Sequence, residues 1–572
     1  NLNWLNPAPE YPYSWAEGPK MWKYNGYYYY SFARDLGGGQ KVMRSRTLTA
    51  VQSAWEMLGD FFNESDPQKS SSLFTSPNHA SAAIMLDDST SWVIHPLYVK
   101  GEWKGQGRQG LLNQVHYDAN GKPIADYPVN KSFTAPKLPS SGIPWMVPHS
   151  DFFTSSVLYP EWSFLGYTSA VKYSLTDRPG WLRLSPKNSL QANTVIKNDG
   201  EHNYSLITRL DFNAQSTSDQ AGLWIMRGDQ TMEVKLVSTF STKGLKLITF
   251  SFKDTKYETG NTIGDTLWLK LVRINHKISG YFSGDGFDWV EIGSPIDISD
   301  IDSFSDFSTF TGTRQGLYVR GTSDAWFDFY IYRDAYTPIM AECPANQFGT
   351  ALVVTKLPPN LLGKIHNDDW ALYAGIEFGN AEYAKSCDSL KITASCLTAG
   401  SSVEVYIDSI DVDTKIAVCA IDTTGSLTNF RTFTTDLLKP VSGNHDIYLK
   451  FVGPGSGELF RLESFQFITN SKPTAINSRQ GNNLPQRFYL EQNYPNPFNP
   501  VTRIKYSVPK TGYITIKVYD LMGREVATIF EGVQQVGNYT AILDGSNLTS
   551  GIYFYRMEAN GFTETKKLVF LK

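Results

Sequence analysis

The chain has 572 residues, of which 41% are hydrophobic, 14% aromatic and only 19% charged, with 45 glycines and 29 prolines. That is too long for one hydrophobic core and describes a turn-rich, multidomain β protein. A formal net charge of -4 supplies no basic face for a phosphate backbone, so no nucleic acid is expected as a partner, and neutral carbohydrate fits better. No apolar run is long enough for a membrane-spanning helix.

In chain order, "AEGPKMWKYNGYYYY" (residues 16–30) sets one carboxylate, Glu17, ahead of an aromatic hairpin. Asn25-Gly26 between two runs of β-formers is the strongest short hairpin signal, and it places Glu17 at the start of an edge strand. Aromatic walls there would strip water from the carboxylate and favour the protonated form a general acid needs. Short aromatic strands continue to about 148, where "FTAPKLPSSGIPWMVPHS" reads as a linker. Residues 149–335 carry longer alternating strands such as "YSLITRLDF", "TLWLKLVRI" and "AWFDFYIYRD", the pattern of a two-faced sandwich. A third β segment, 338–469, holds all four cysteines, Cys343, Cys387, Cys396 and Cys419. Their spacing is not that of a zinc site, and both paired and free thiols remain open. A polar linker at 470–484 leads to 485–572, whose strands ("TRIKYSVP", "YITIKVYD", "GIYFYRMEA") predict a small sandwich.

The segment 15–128, through "EGPKMWKYNGYYYYSFA", "VMRSRTLT", "NHASAAIMLDDSTSWVIHPL" and "GQGRQGLLNQVHYDANGKPI", resembles the later blades of glycoside hydrolase family 43, a five-bladed β-propeller. The resemblance implies that Glu17 of the E-G-P motif is the general acid of an inverting hydrolysis. It also implies that the general-base aspartate, and a further aspartate that tunes the acid, come from blades before this motif. Only sixteen residues precede Glu17, and no motif assigns Asp35, Asp60 or Asp66 to either role. The chain is therefore expected to be an N-terminally truncated glycosidase, inactive alone. His79 in "NHASAAI" matches a histidine near the propeller axis, where an ion or water cluster can sit. Arg108 in "GQGRQG" matches an arginine that faces the sugar.

"YSLTDRPGWLRL", "QAGLWIM" and "RQGLYVRG" resemble the concanavalin-like C-terminal domain of family 43 β-xylosidases, which implies an exo-acting enzyme on short xylo-oligosaccharides. "MAECPANQFG", "HNDDWALYAGIEFG" and "LFRLESFQF" resemble a family 6 carbohydrate-binding module, implying a structural calcium at Glu342 and Glu463. Its usual sugar cleft is altered: Lys364 and Leu427 stand where stacking aromatics are expected, and Arg461 where an asparagine is, so stacking there is lost. "NYPNPFNPVTRIKYSVP" and "SGIYFYRMEANGFTETKKLVFLK" resemble a type IX secretion sorting domain, implying export by that machinery.

Together these give an all-β fold: a partial five-bladed propeller, two jelly-roll sandwiches and a small Ig-like sandwich. The expected function is that of a secreted or surface-held glycoside hydrolase degrading hemicellulose, a β-xylosidase or α-L-arabinofuranosidase acting on xylo-oligosaccharide or arabinoxylan. The alternative is a non-catalytic carbohydrate-binding surface protein.

Overall fold

The computed structural model describes residues 16–128, 150–469 and 487–571, less 35–38, 76, 101–107, 166–171, 188–191, 200, 228–231, 304–311, 343, 356–359, 381, 382, 384, 398, 494, 495, 535, 536, 547 and 560. Among these residues the fold is all-β, and the one α-helix is the single turn Ser299–Ser303.

The expected hairpin forms. Strand β1 (Ala16–Tyr24) pairs antiparallel with β2 (Tyr27–Arg34). Asn25 and Gly26 take φ +45° and +79°, the left-handed pair that a two-residue turn matching the strand twist requires. β3 (Gln40–Ser45) and β4 (Glu56–Asp60) complete a four-stranded sheet with β1 at its edge. A second sheet is built on β7 (Ser91–Val99) and β8 (Arg108–Tyr117), with β5 (Phe74–Thr75), β6 (Ile84–Met85) and β9 (Pro123–Ala125). The sheets share a core of Tyr29, Val42, Phe61, Phe62, Val93 and Val115, and Phe61 is bonded to Ala125 across them.

The run "YYYY" alternates between two apolar layers, as a strand buried on both faces must. Tyr27 and Tyr29 join Trp22 and Tyr117 on one side; Tyr28 and Tyr30 join Phe32, Met43 and Trp55 on the other.

The second segment is a sandwich of a seven-stranded and an eight-stranded sheet, all pairs antiparallel. Alternate residues of each strand, including Leu206, Leu236, Leu269, Leu317 and Phe327, meet in one core. Each such side chain contributes roughly 1.5–3 kcal/mol when fully buried. The third segment packs a six-stranded on a five-stranded sheet and the fourth a three-stranded on a four-stranded sheet. Val501–Val508 shows the cleanest alternation, with Thr502, Ile504, Tyr506 and Val508 inward.

The second and third segments are joined by polar bonds and an apolar seam. Arg333, paired within its own segment to Glu201 at 2.6 Å, donates across to the carbonyl of Ala374 at 3.2 Å. Tyr383 of the third segment packs on Trp268 and Phe329 of the second. The fourth segment touches the second where Arg503 donates to the Tyr159 hydroxyl at 2.7 Å.

Candidate active site and carbohydrate-binding surfaces

Glu17 opens an edge strand, and the local chain explains how it is aimed. The β1–β2 register runs Glu17 opposite Ala33 but Lys20 opposite Ser31, so Gly18-Pro19 forms a bulge. Proline lacks the N–H a central strand would need, and an edge bulge is where it is tolerated. Gly18 has φ +55°, and a Cβ built there would stand 2.7 Å from Nδ1 of His79. Glycine is thus required twice, for its dihedral and for the imidazole lying against it. The ring's other nitrogen, Nε2, is 3.2 Å from Oε2 of Glu17.

His79 is itself in the left-handed region, φ +49°. Its loop is tied to β7 by bonds from the N–H groups of Asn78 and Ser81 to the carbonyls of Pro96 and Ile94. The Glu17 side chain is 48% exposed and that of His79 25%. Trp22 and the tyrosines of the hairpin sit in the core layers instead of walling Glu17. Asn78 Oδ1, which sequence reasoning missed, is buried with no hydrogen-bond partner among the described residues. Its only sequence signal is its place beside His79. Arg108 starts β8 opposite Tyr98; its side chain lies outside the described residues, as does Asp35. Asp60 is paired with Lys41, and Asp66 accepts from the N–H of Gln68 at 2.8 Å, both in local structural bonds.

In the third segment Glu342 is 6% exposed. Its Oε1 accepts from Asn203 Nδ2 of the second segment at 2.5 Å and its Oε2 from the N–H of Asn360 at 3.1 Å. The N–H of Ala341 donates to the carbonyl of Glu463 at 2.9 Å, which makes the two glutamates neighbours in backbone. Burial raises the Glu463 carboxyl above its usual range. Oxygen donors of this kind suit a hard cation such as calcium, and each Glu342 oxygen keeps a second lone pair. Among the described residues no three His, Cys, Asp or Glu side chains cluster as a metal site.

The altered cleft carries charge. Glu458 accepts from the Lys364 N–H at 2.9 Å and from Arg461 Nε at 3.0 Å, while Leu427 lends its carbonyl to Ser395. Cys387, Cys396 and Cys419 are buried, and Cys387 and Cys419 are free; Cys343 lies outside the described residues. Burial pushes the Cys387 thiol up to about 12 and that of Cys419 up to about 11, which makes both inert packing groups.

Comparison with known proteins gives three family matches. Residues 150–333 match the beta xylosidase C-terminal concanavalin A-like domain, 341–469 the family 6 carbohydrate binding module, and 492–571 the secretion system C-terminal sorting domain. A non-reducing end alpha-L-arabinofuranosidase of Bacteroides ovatus is 25% identical over 346 residues, 55% of this chain and 62% of that protein. A xylan 1,3-beta-xylosidase of a Vibrio species is 26% identical over 250 residues, 40% of this chain and 45% of that protein. The crystal structure of xylan beta-1,4-xylosidase from Bacillus halodurans C-125 is 21% identical, with TM-score 0.49, and the match covers 55% of this chain and 65% of that one. The chain thus spans less than two thirds of the length of these relatives.

Proposed function

We infer from the matches to a β-xylosidase-type concanavalin-like domain, a family 6 carbohydrate-binding module and a secretion sorting domain that this is a secreted or surface-held protein. From this premise we propose that it acts in the hydrolysis of xylan-type carbohydrate, as a β-xylosidase or α-L-arabinofuranosidase of the inverting kind, with Glu17 as general acid. The observation that carries this reading is the Glu17-Gly18-Pro19 bulge, which turns a carboxylate off a strand start and holds it against His79.

Inverting hydrolysis needs one carboxylic acid to protonate the departing oxygen and an opposed carboxylate to activate water, roughly 6.5–9.5 Å away. Glu17 is exposed enough to meet a substrate oxygen, and one of its two oxygens is steadied by the imidazole. The other is left for the leaving group. His79 is then a positioning residue. By the family resemblance the base comes from chain N-terminal to Glu17, which agrees with the engagement of Asp60 and Asp66 elsewhere. Calcium, in this proposal, is held by Glu342 and Glu463, where it ties two chain segments of the binding module together.

The test is hydrolysis of 4-nitrophenyl xyloside and arabinofuranoside by the chain expressed with whatever coding sequence precedes Asn1 in its gene, with the anomer of the first-formed sugar read by NMR. Inversion and dependence on Glu17 are expected; a retained anomer, or turnover indifferent to Glu17→Gln, would overturn the proposal.

A further inference from the structure

Between the second and third segments lies a cavity of about 420 Å³, lined among others by Lys270, Trp289, Asp334, Tyr336, Lys385 and Gln466. It is distant in sequence from Glu17 and separate from the Lys364–Arg461 cleft. Its charge is unbalanced. Lys270 Nζ lies 4.3 Å from the centre of the Trp289 ring, and Lys385 Nζ 4.9 Å from those of Tyr336 and Tyr383. Among the described residues neither ammonium has an ion-pair or hydrogen-bond partner.

The one carboxylate lining the cavity is already engaged. Asp334 is 1% exposed, and it accepts from Ser205 Oγ at 2.7 Å and from the Tyr383 hydroxyl at 3.2 Å. The lining therefore sets two cations against one satisfied carboxylate, with Asp285 acting on Lys385 from outside it. Burial lowers both lysines, Lys385 to about 8; Asp334 partly offsets this for both, and at Lys385 the Lys270 charge lowers it further while Asp285 opposes that. An anion entering the cavity would relieve both.

The chain's own next segment does not supply it. Residues 470–486, which follow the last strand, contain Lys472 and Arg479 and no carboxylate. A bare phosphate would leave most of the space and the ring faces unused, since pockets of roughly 300–1,000 Å³ take molecules of sugar size or larger. Aromatic rings suit the apolar face of a pyranose. Gln466 donates through Nε2 to the Tyr336 carbonyl at 2.7 Å and keeps its own carbonyl for a hydroxyl.

We propose that this interdomain cavity binds a hexuronic acid, a pyranose whose carboxylate pairs with Lys270 and Lys385 while its ring lies against Trp289 and Tyr336. The site goes beyond the hydrolytic reading and does not depend on it.

Calorimetric titration of the full chain with methyl β-D-glucuronoside, methyl β-D-xyloside and inorganic phosphate tests it. Saturable glucuronoside binding is expected, weakened by added salt, with the xyloside and phosphate at least about tenfold weaker. Lys270→Met and Lys385→Met, which keep the apolar stems, should each weaken glucuronoside binding by at least about tenfold, while Lys385→Arg retains it. Absence of glucuronoside binding, or phosphate binding as tight as glucuronoside, would overturn the proposal. So would a lysine variant with a lowered melting temperature and unchanged affinity, because the lysines would then only clamp the domains. If the methionine variants do not fold, glucuronoside binding by the native chain that is indifferent to salt would overturn it as well.

Discussion

Nε2 of His79 lies 3.2 Å from Oε2 of Glu17, and the same imidazole fills the space that a side chain at residue 18 would need. Acid, glycine and histidine therefore form one unit, in which the glycine sets how closely the ring can approach. Gly18→Ala is expected to cost about 1–2 kcal/mol for the left-handed dihedral, and to push His79 off Glu17. Urea unfolding of the full chain measures the first effect. An alanine variant as stable as the parent would show that the bulge relaxes freely.

The third segment should lose stability as pH rises. His445 Nδ1 is 2.8 Å from Asp408 and Nε2 is 2.9 Å from the Ser442 carbonyl, so both nitrogens face acceptors and the imidazolium is favoured. Burial opposes that charge, but Asp408 outweighs it, with Glu377 adding to the attraction, and the imidazole is raised above its ordinary range. Asp446, whose own carboxyl is raised by burial, also faces the pair. A raised folded value means the stabilisation is complete below the unfolded value of about 6.5 and is lost as pH climbs through the folded one. Calorimetry should find His445→Gln less stable than the parent near about pH 6, with the gap narrowing by about pH 8. A gap that does not narrow would contradict this.

Much of this architecture was legible locally. Asn25-Gly26 announced its turn, and the period-two pattern announced the sandwiches, because both are written in adjacent residues. The Glu17–His79 pairing was not, since sequence set the two residues in separate roles and only the bulge at Gly18 unites them. The aromatic run also misled: sequence offered those rings as walls for Glu17, and the strand's two faces consumed them as core. The bond from Asn203 to Glu342 spans 139 residues, and the cavity beside Lys385 exists only because two sandwiches meet. No local pattern records such a meeting.

Calcium should raise the melting temperature of the third segment through Glu342 and Glu463, since a ligand bound to the folded state alone stabilises it by mass action. The check is calorimetry with calcium and with chelator, on the parent and on Glu342→Gln. No calcium-dependent shift in the parent, or an equal shift in the variant, would remove these residues as ligands.

Removing residues 485–572 should strand the protein in the periplasm of a host with type IX secretion. That segment has its own core of Ile504, Tyr506, Ile516 and Tyr555, so its loss leaves the other segments folded. Cell fractionation with an antibody to the second segment reads the outcome. Arrival of the shortened protein at the cell surface would show that the address lies elsewhere.

The role of Glu17 is tested most directly by leaving-group dependence, measured on the chain expressed with whatever coding sequence precedes Asn1 in its gene. For Glu17→Gln, turnover of xylobiose, whose departing oxygen needs a proton, should fall by at least about a hundredfold. Turnover of 2,4-dinitrophenyl xyloside, whose leaving group needs no such help, should fall far less. Equal losses on the two substrates, or none on either, would contradict Glu17 as the general acid.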